Sequence, residues 1–587
     1  MRKKLFRRYL LSYSFYQIIL LFNFPIVSDA QVPLTIYEET NGKHTATYFQ
    51  VIDFYQRLDE LSPKVQMQSM GTTDAGYPLH LVLFSNDGKF DPRRWQSGNK
   101  VVILINNGIH PGEPDGIDAS MMWVRDLVTG RKRISDSVVL AFIPVYNIGG
   151  ALNRSAFYRV DQNGPAEFGS RGNGQNLDLN RDFIKADSRN ARSFAVIYQY
   201  LKPDIFIDNH VSNGADYQHI MTLISSQHNK LGGRLGEFMN KQIEPSIYRM
   251  MKERGYDLIP YVNAFGDTPE SGWPEFLEGP RYSSGYATLF NSFAFVPETH
   301  MLKPYSQRVD ATYALMECFE RYAAANADTI RQIRKIAQEE QLNRSVFPVQ
   351  WVLDRSRFTE ISFKGFEAGR KPSAVSKLPR LYYDRNKPFD KKIKFYNQYV
   401  ASVEVTAPRA YIIPQGWWKV IERLQDNGVK MERLQRDTVL EVEALMINEN
   451  KVSSRAFEGH YLNNSVKVSR KLIKKSFRRG DWLIQTAQPA KRFLVEVLEP
   501  EAMDSYFTWN FFDPILSQKE GFSSYVFEDT AEKLLAENPQ LKMQLEEKRA
   551  TDTSFARNAY QQLDFIFKNS PYAEPDHNRY PVFRLLN

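Results

Sequence analysis

The nonapeptide GIHPGEPDG at residues 108–116 sets His110 and Glu113 three positions apart, with only Pro111 and Gly112 between them. Proline fixes φ and glycine admits conformations closed to other residues, so the insert predicts a turn that folds both side chains back onto one point. Of the chain's nine histidines, His210 in DIFIDNHVS shares one property with His110: it stands just past an apolar strand pattern. Two imidazoles and a carboxylate with a fourth position left open compose a catalytic zinc site, whose ion activates water and polarises a carbonyl. Taken alone, the His110–Glu113 pair is also accounted for by a hydrogen-bonded loop histidine. The helical zinc motif, in which two histidines flank a glutamate, is absent. Two further stretches carry reactive side chains. RGNGQNLDLNRDF at 171–183 holds Arg171 and Arg181 among amides and glycines, and FAFVPETH at 293–300 sets Glu298 at the end of an apolar strand. His300 follows two residues later on the same strand side, where a simple hydrogen-bonded histidine is expected.

The elements that must position these residues are legible as alternating strand and helix patterns. YFQVIDFYQRLDELSP reads as a helix, YPLHLVLFS as an alternating strand, and NKVVILINN as a strand buried on both faces. DGIDASMMWVRDLVTG and SRNARSFAVIYQYLKP have helical spacing, and SVVLAFIPVYN, DIFIDNHVS and FAFVPETH are strand patterns. Interleaved strands and helices predict an α/β domain with a parallel or mixed central sheet, and in such a sheet strand ends distant in sequence converge. One long helix is expected over residues 307–342, closing a domain that spans 31–345. Residues 346–587 change texture: KFYNQYVASVEVTAP, DTVLEVEALMI and RFLVEVLEP read as strands around a helix, GWWKVIERLQDNG, which predicts an α+β or β-rich accessory domain.

The order of these motifs over roughly residues 45–340 (His110-x-x-Glu113 after a strand, Arg171 to Asn180-Arg181, the single His210, then Glu298) resembles the zinc carboxypeptidases of the carboxypeptidase A type. The resemblance implies their fold, a mixed central sheet flanked by helices, and one Zn2+ per chain held by His110, Glu113 and His210. It implies Glu298 as general base and acid, Arg171 as the partner of the oxyanion, and Asn180 with Arg181 as the receptor for a substrate's terminal carboxylate. It also implies a tyrosine that covers the substrate, for which PRYSSGY offers Tyr282 and Tyr286. Chemistry supports each role: a carboxylate can take a proton from water and pass it to a leaving amine, and a guanidinium forks onto a carboxylate. The expected activity is removal of the C-terminal residue of a peptide bearing a free carboxylate. A deacylase or a cell-wall-peptide peptidase would use the same residues with another pocket. A silent peptide-binding protein would lack Glu298 or Arg171, and both are present.

Composition sets the remaining bounds. At 587 residues the chain exceeds one hydrophobic core, and its 42% hydrophobic content suffices for burial. Residues 1–30 read as a secretory signal peptide, with Arg2, Lys3, Lys4, Arg7 and Arg8 ahead of an apolar stretch and Ser28 and Ala30 before the cut. Removing this leader lowers the formal charge from +8 to +4, because five basic residues and one acid leave with it. The remaining charge argues against nucleic acid as a partner, and RKLIKKSFRRGD at 470–481 reads as a solvated strand edge. The expectation is an exported protein, periplasmic or extracellular, with no stable membrane insertion after cleavage. Cys318 is the only cysteine, which excludes an internal disulfide and a thiolate zinc cluster.

Overall fold

The apolar runs of the first 300 residues become one nine-stranded mixed sheet in the computed structural model, which describes residues 32–586. The leader expected over residues 1–30 lies outside the described residues. The strands are β1 (Val65–Thr72), β2 (Pro78–Phe84), β3 (Val101–Asn106), β4 (Val138–Ile143), β5 (Ile205–Asp208), β6 (His210–Ser212), β7 (Met221–Ser225), β8 (Ile259–Pro260) and β9 (Phe293–His300). Their order is β1-β2-β4-β3-β5-β9-β7-β8, with β6 also paired to β9. The central pairs β4–β3, β3–β5 and β5–β9 are parallel, while β1–β2, β2–β4 and β9–β7 are antiparallel.

The period of two along a strand assigns each apolar residue to one of two layers. In β3, Ile103 and Ile105 join a cluster with the helices α1 (Tyr48–Leu61), α2 (Asp115–Val128) and α4 (Tyr305–Ala325). Val102 and Leu104 face the opposite layer, where α3 (Arg189–Leu201) packs. All six β3 residues are buried, which is why the sequence shows an unbroken apolar run there. The helix expected over 307–342 is two helices. α4 ends at Ala325 and α5 (Ala327–Asn343) follows, separated by Asn326, whose φ of −125° is not helical.

Beyond α5 the chain is β-rich with added helices. A hairpin of β10 (Thr359–Pro372) and β11 (Pro379–Tyr396) precedes a six-stranded sheet containing the hairpin β12 (Thr438–Val452) and β13 (Asn463–Phe477). β13 is an edge of that sheet, so the basic run at 470–481 sits on a solvated border. α6 (Trp418–Asp426) forms as its spacing indicates. RFLVEVLEP (492–500), expected as a strand, is instead helical as far as Leu498 in α7 (Lys491–Leu498), all eight residues of which are buried. The run FLV and the alternating VEVLEP read like a buried strand, while the helical spacing of Arg492 and Glu496, which pair at 2.8 Å, is spread over only two turns. Residues 524–568 form further helices with a small core of their own.

The second layer of the central sheet is completed by the C-terminal region. Tyr411, Leu424, Leu494, Trp509 and Tyr580 share one apolar cluster with Leu81, Leu104, Phe206 and Tyr286. Polar contacts cross the same boundary, with Arg192 of α3 paired to Glu422 at 3.1 Å and Asp426 at 2.7 Å of α6. Among the described residues, no helix is long and apolar enough to cross a membrane. Cys318 is fully buried in α4.

Candidate metal centre

Three segments leaving the carboxyl ends of adjacent strands converge, as open α/β sheets lead one to expect. Past β3, Gly108 adopts φ +65° and the backbone N–H of Glu113 donates to the His110 carbonyl at 2.8 Å, closing the turn. Gly112 has no room for a side chain: a Cβ there would lie 2.7 Å from Arg159 Cδ and 3.0 Å from the Gly169 carbonyl. His210 opens β6, and Glu298 stands opposite it in the parallel β6–β9 register.

The turn and the strand register bring His110, Glu113 and His210 together. One ligand atom from each lies within 4.8 Å of the others, and all three residues are buried. The Nδ1 atoms face Glu113, at 3.3 Å from His110 to Oε1 and 3.1 Å from His210 to Oε2. The outer nitrogens are held by carboxylates: His110 Nε2 by Asp178 at 2.9 Å and His210 Nε2 by Asp208 at 3.2 Å. Carboxylates behind metal-bound imidazoles fix the ring orientation and raise donor strength.

The electrostatics call for a cation. Burial alone would raise the Glu113 carboxyl, but His110, Arg159 and His210 hold it well below the usual carboxylate range. Burial likewise opposes charge on His210, yet Asp208, Glu113 and Glu298 push it well above its ordinary value. His110 Nδ1 is buried without a hydrogen-bond partner. Two imidazoles and one carboxylate whose ligand atoms lie within 4.8 Å of one another suit zinc.

Glu298 is part-exposed, and its carboxyl is raised, first by burial and then by Glu113 and Glu278, against the opposing pull of His210 and Arg159. Arg171 is 48% exposed and faces the same centre, 3.6 Å from Glu113 Oε1, with its Nε donating to Asp178 Oδ2 at 3.0 Å. Asn180 and Arg181 lie in a 3-10 turn, Leu179–Arg181, two and three residues past Asp178. Asn180 Oδ1 is buried and lacks a partner, and the Arg181 guanidinium stacks 4.5 Å over the Tyr282 ring.

Tyr286 does not join the site. It is 0% exposed, donates to Asn427 Oδ1 at 2.7 Å and packs among Phe183, Phe194, Tyr198 and Phe290, so it is a core residue. It sits inside the helix Ser283–Thr288, whereas Tyr282 stands just before it. His300 hydrogen-bonds through Nε2 to the Ala215 carbonyl at 2.8 Å and accepts from the Leu302 N–H through Nδ1 at 3.1 Å, the structural role expected of it.

Three neighbours escape sequence reading. Asp178 and Asp208 lie within the quoted motifs, but nothing in their spacing says which imidazole each will meet. Arg159 pairs with Glu113 at 2.8 Å and donates to the Val211 carbonyl at 3.1 Å, from a segment with no motif at all. The C-terminal region also reaches the site's flank. The Asp178 N–H donates to Glu458 at 2.8 Å, while Asp187, five residues past Asp182, binds His460 at 2.6 Å and Arg423 at 3.0 Å.

Residues 51–226 match the zinc carboxypeptidase family. The matched stretch contains His110, Glu113, Arg171, Asn180, Arg181 and His210 and ends before Glu298. Carboxypeptidase 2 of Trichophyton equinum is 22% identical over 430 residues, covering 70% of this chain and 74% of that protein. Carboxypeptidase 2 of Trichophyton rubrum has the same identity and coverage. The metallo-carboxypeptidase structure from Burkholderia cenocepacia aligns over 48% of this chain and 70% of its own, at 13% identity and a TM-score of 0.36.

Proposed function

Starting from a chain that carries a zinc carboxypeptidase domain and is a metallocarboxypeptidase, we propose that it is exported and removes C-terminal residues from peptides, with His110, Glu113 and His210 holding one zinc ion. The reading rests on one observation above the rest: three ligand atoms from two strand ends meet within 4.8 Å, with Glu298 in register beside His210. Zinc bound there supplies Lewis acidity toward a carbonyl and a nucleophilic water near neutral pH.

The chain's own groups do the remainder. Glu298, raised by burial and by neighbouring carboxylates, is suited to take a proton from water and return it to the leaving amine. Arg171 directs a guanidinium toward the centre, where it stabilises negative charge developing on the carbonyl oxygen. Arg181, whose guanidinium lies 4.5 Å over the Tyr282 ring, and the side-chain NH2 of Asn180 donate to the substrate's terminal carboxylate. Export is inferred from the leader pattern of residues 1–30. Residues 31–345 are assigned the chemistry, and residues 346–587 are accessory, bracing the segment that carries Asn180 and Arg181 through Glu458 and His460.

Metal analysis of variants tests the assignment. Wild type should carry about one zinc per chain, and alanine at His110, Glu113 or His210 should abolish it. Glu298→Gln should keep the zinc and lower kcat by about 10²- to 10⁴-fold. Full zinc retention in the three ligand variants, or full turnover in Glu298→Gln, contradicts these roles.

A further inference from the structure

The β10–β11 hairpin is fastened at its base and free at its tip. At the base, Gln218 donates to the Gly365 and Phe389 carbonyls at 2.8 and 3.0 Å, the Lys364 N–H donates to His219 Nε2 at 3.1 Å, and Arg385 pairs with Asp216 at 2.7 Å. Phe363, Ile393 and Phe395 pack there with Tyr217 and Trp273. The strands pair on to Pro372, broken by a bulge at residues 385–387 between the Phe366–Pro388 and Glu367–Asp384 pairs; Gly365 to Pro372 spans roughly 24 Å at about 3.4 Å per residue. The segment fastened at the base, 215–219, follows the candidate ligand His210.

The tip combines three properties. Val375 and Leu378 are 93% and 66% exposed at its apex, and Tyr382 is exposed beside them. Arg370, Lys371, Lys377 and Arg380 surround them, and no acid occurs between Glu367 and Asp384. The backbone N–H groups of Ser373, Val375, Ser376, Lys377 and Leu378 all find acceptors inside the turn. With five of the six N–H groups from Ser373 to Leu378 satisfied internally, little of the turn's backbone is left to be desolvated at a bilayer surface. The other long hairpin, β12–β13, is different: its tip docks back onto the molecule through Glu458 and His460.

We infer that the β10–β11 tip is a peripheral anchor for a bilayer surface rich in anionic phospholipid. The aliphatic apex enters the headgroup boundary, and the four basic side chains meet lipid phosphates. Charge complementarity selects this partner, and the aliphatic apex separates it from a single-stranded nucleic acid, which requires an aromatic stacking platform. The inference does not depend on the peptidase reading.

Co-sedimentation of the full chain with phosphatidylglycerol-containing vesicles and with pure phosphatidylcholine vesicles tests it. The protein should partition onto the anionic vesicles only and should be released as salt is raised from about 0.1 to 0.5 M. Val375→Asp with Leu378→Asp, and separately Lys377→Glu with Arg380→Glu, should each lower partitioning by about tenfold or more. Both double variants should keep the wild-type circular-dichroism spectrum and melting midpoint. Absence of binding, equal binding to both vesicle types, or undiminished binding by the Val375/Leu378 variant overturns the inference. The last result would reduce the tip to a general polyanion-binding patch.

Discussion

Glu113 owes its position to what is missing beside it. Gly112 leaves the space through which Arg159 reaches the carboxylate, and Pro111 and Gly112 together turn the chain so that His110 faces the same point. The imidazoles are in turn oriented by Asp178 and Asp208, so the donor geometry is set by carboxylates that need not touch a metal. Replacing Asp178 with Asn should therefore weaken zinc binding by roughly 10- to 100-fold in a chelator competition while the protein stays folded. Unchanged affinity would remove Asp178 from that role. The two tyrosines separate as cleanly. Tyr286→Phe strands Asn427 in the core and should cost about 1–2 kcal/mol of stability with KM unchanged. Tyr282→Leu removes the ring beneath Arg181 and should raise KM about two- to fivefold with little effect on stability. The opposite pattern of effects would restore Tyr286 to the cleft.

At the scale of elements, the strands that end at the site were readable because burial on both faces or alternation leaves a direct trace in sequence. β3, β5 and β9 all carry that trace, and His110, His210 and Glu298 were found through it. Reading failed where burial is uniform, as in α7, and where a helix break depends on one residue's backbone, as at Asn326. Arg159 was invisible because its role comes from tertiary contact alone. The contact between the β12–β13 tip and the 178–187 segment is equally absent from local pattern, and it contains a titratable pair, His460 and Asp187. Burial opposes charge on His460, but the hydrogen bond and charge of Asp187 outweigh it and raise the imidazole above its ordinary value. A raised histidine contributes its full stabilisation below the unfolded value, near 6.5, and loses it as pH rises through the folded value. Denaturation midpoints of wild type and His460→Gln should therefore differ most below about pH 6.5 and converge as pH rises through the raised folded value. A difference independent of pH would mean the pair is not titrating.

Across the whole molecule, the two regions of different texture share one hydrophobic cluster, so the catalytic sheet has its second face covered by C-terminal residues. Through that arrangement the C-terminal region reaches the flank of the site. Glu458 and His460 hold the segment that presents Asp178, Asn180 and Arg181. The central claim is that this assembly recognises a free terminal carboxylate and cleaves the bond before it. Mass spectrometry of a peptide library incubated with the zinc-loaded protein tests this most directly, with each peptide supplied in free-acid and C-terminally amidated form. Stepwise loss of single residues from the C-terminus of the free acids, abolished by amidation and by zinc removal, is the predicted result. No shortening of any free acid, or equal cleavage of the amidated peptides, would contradict it.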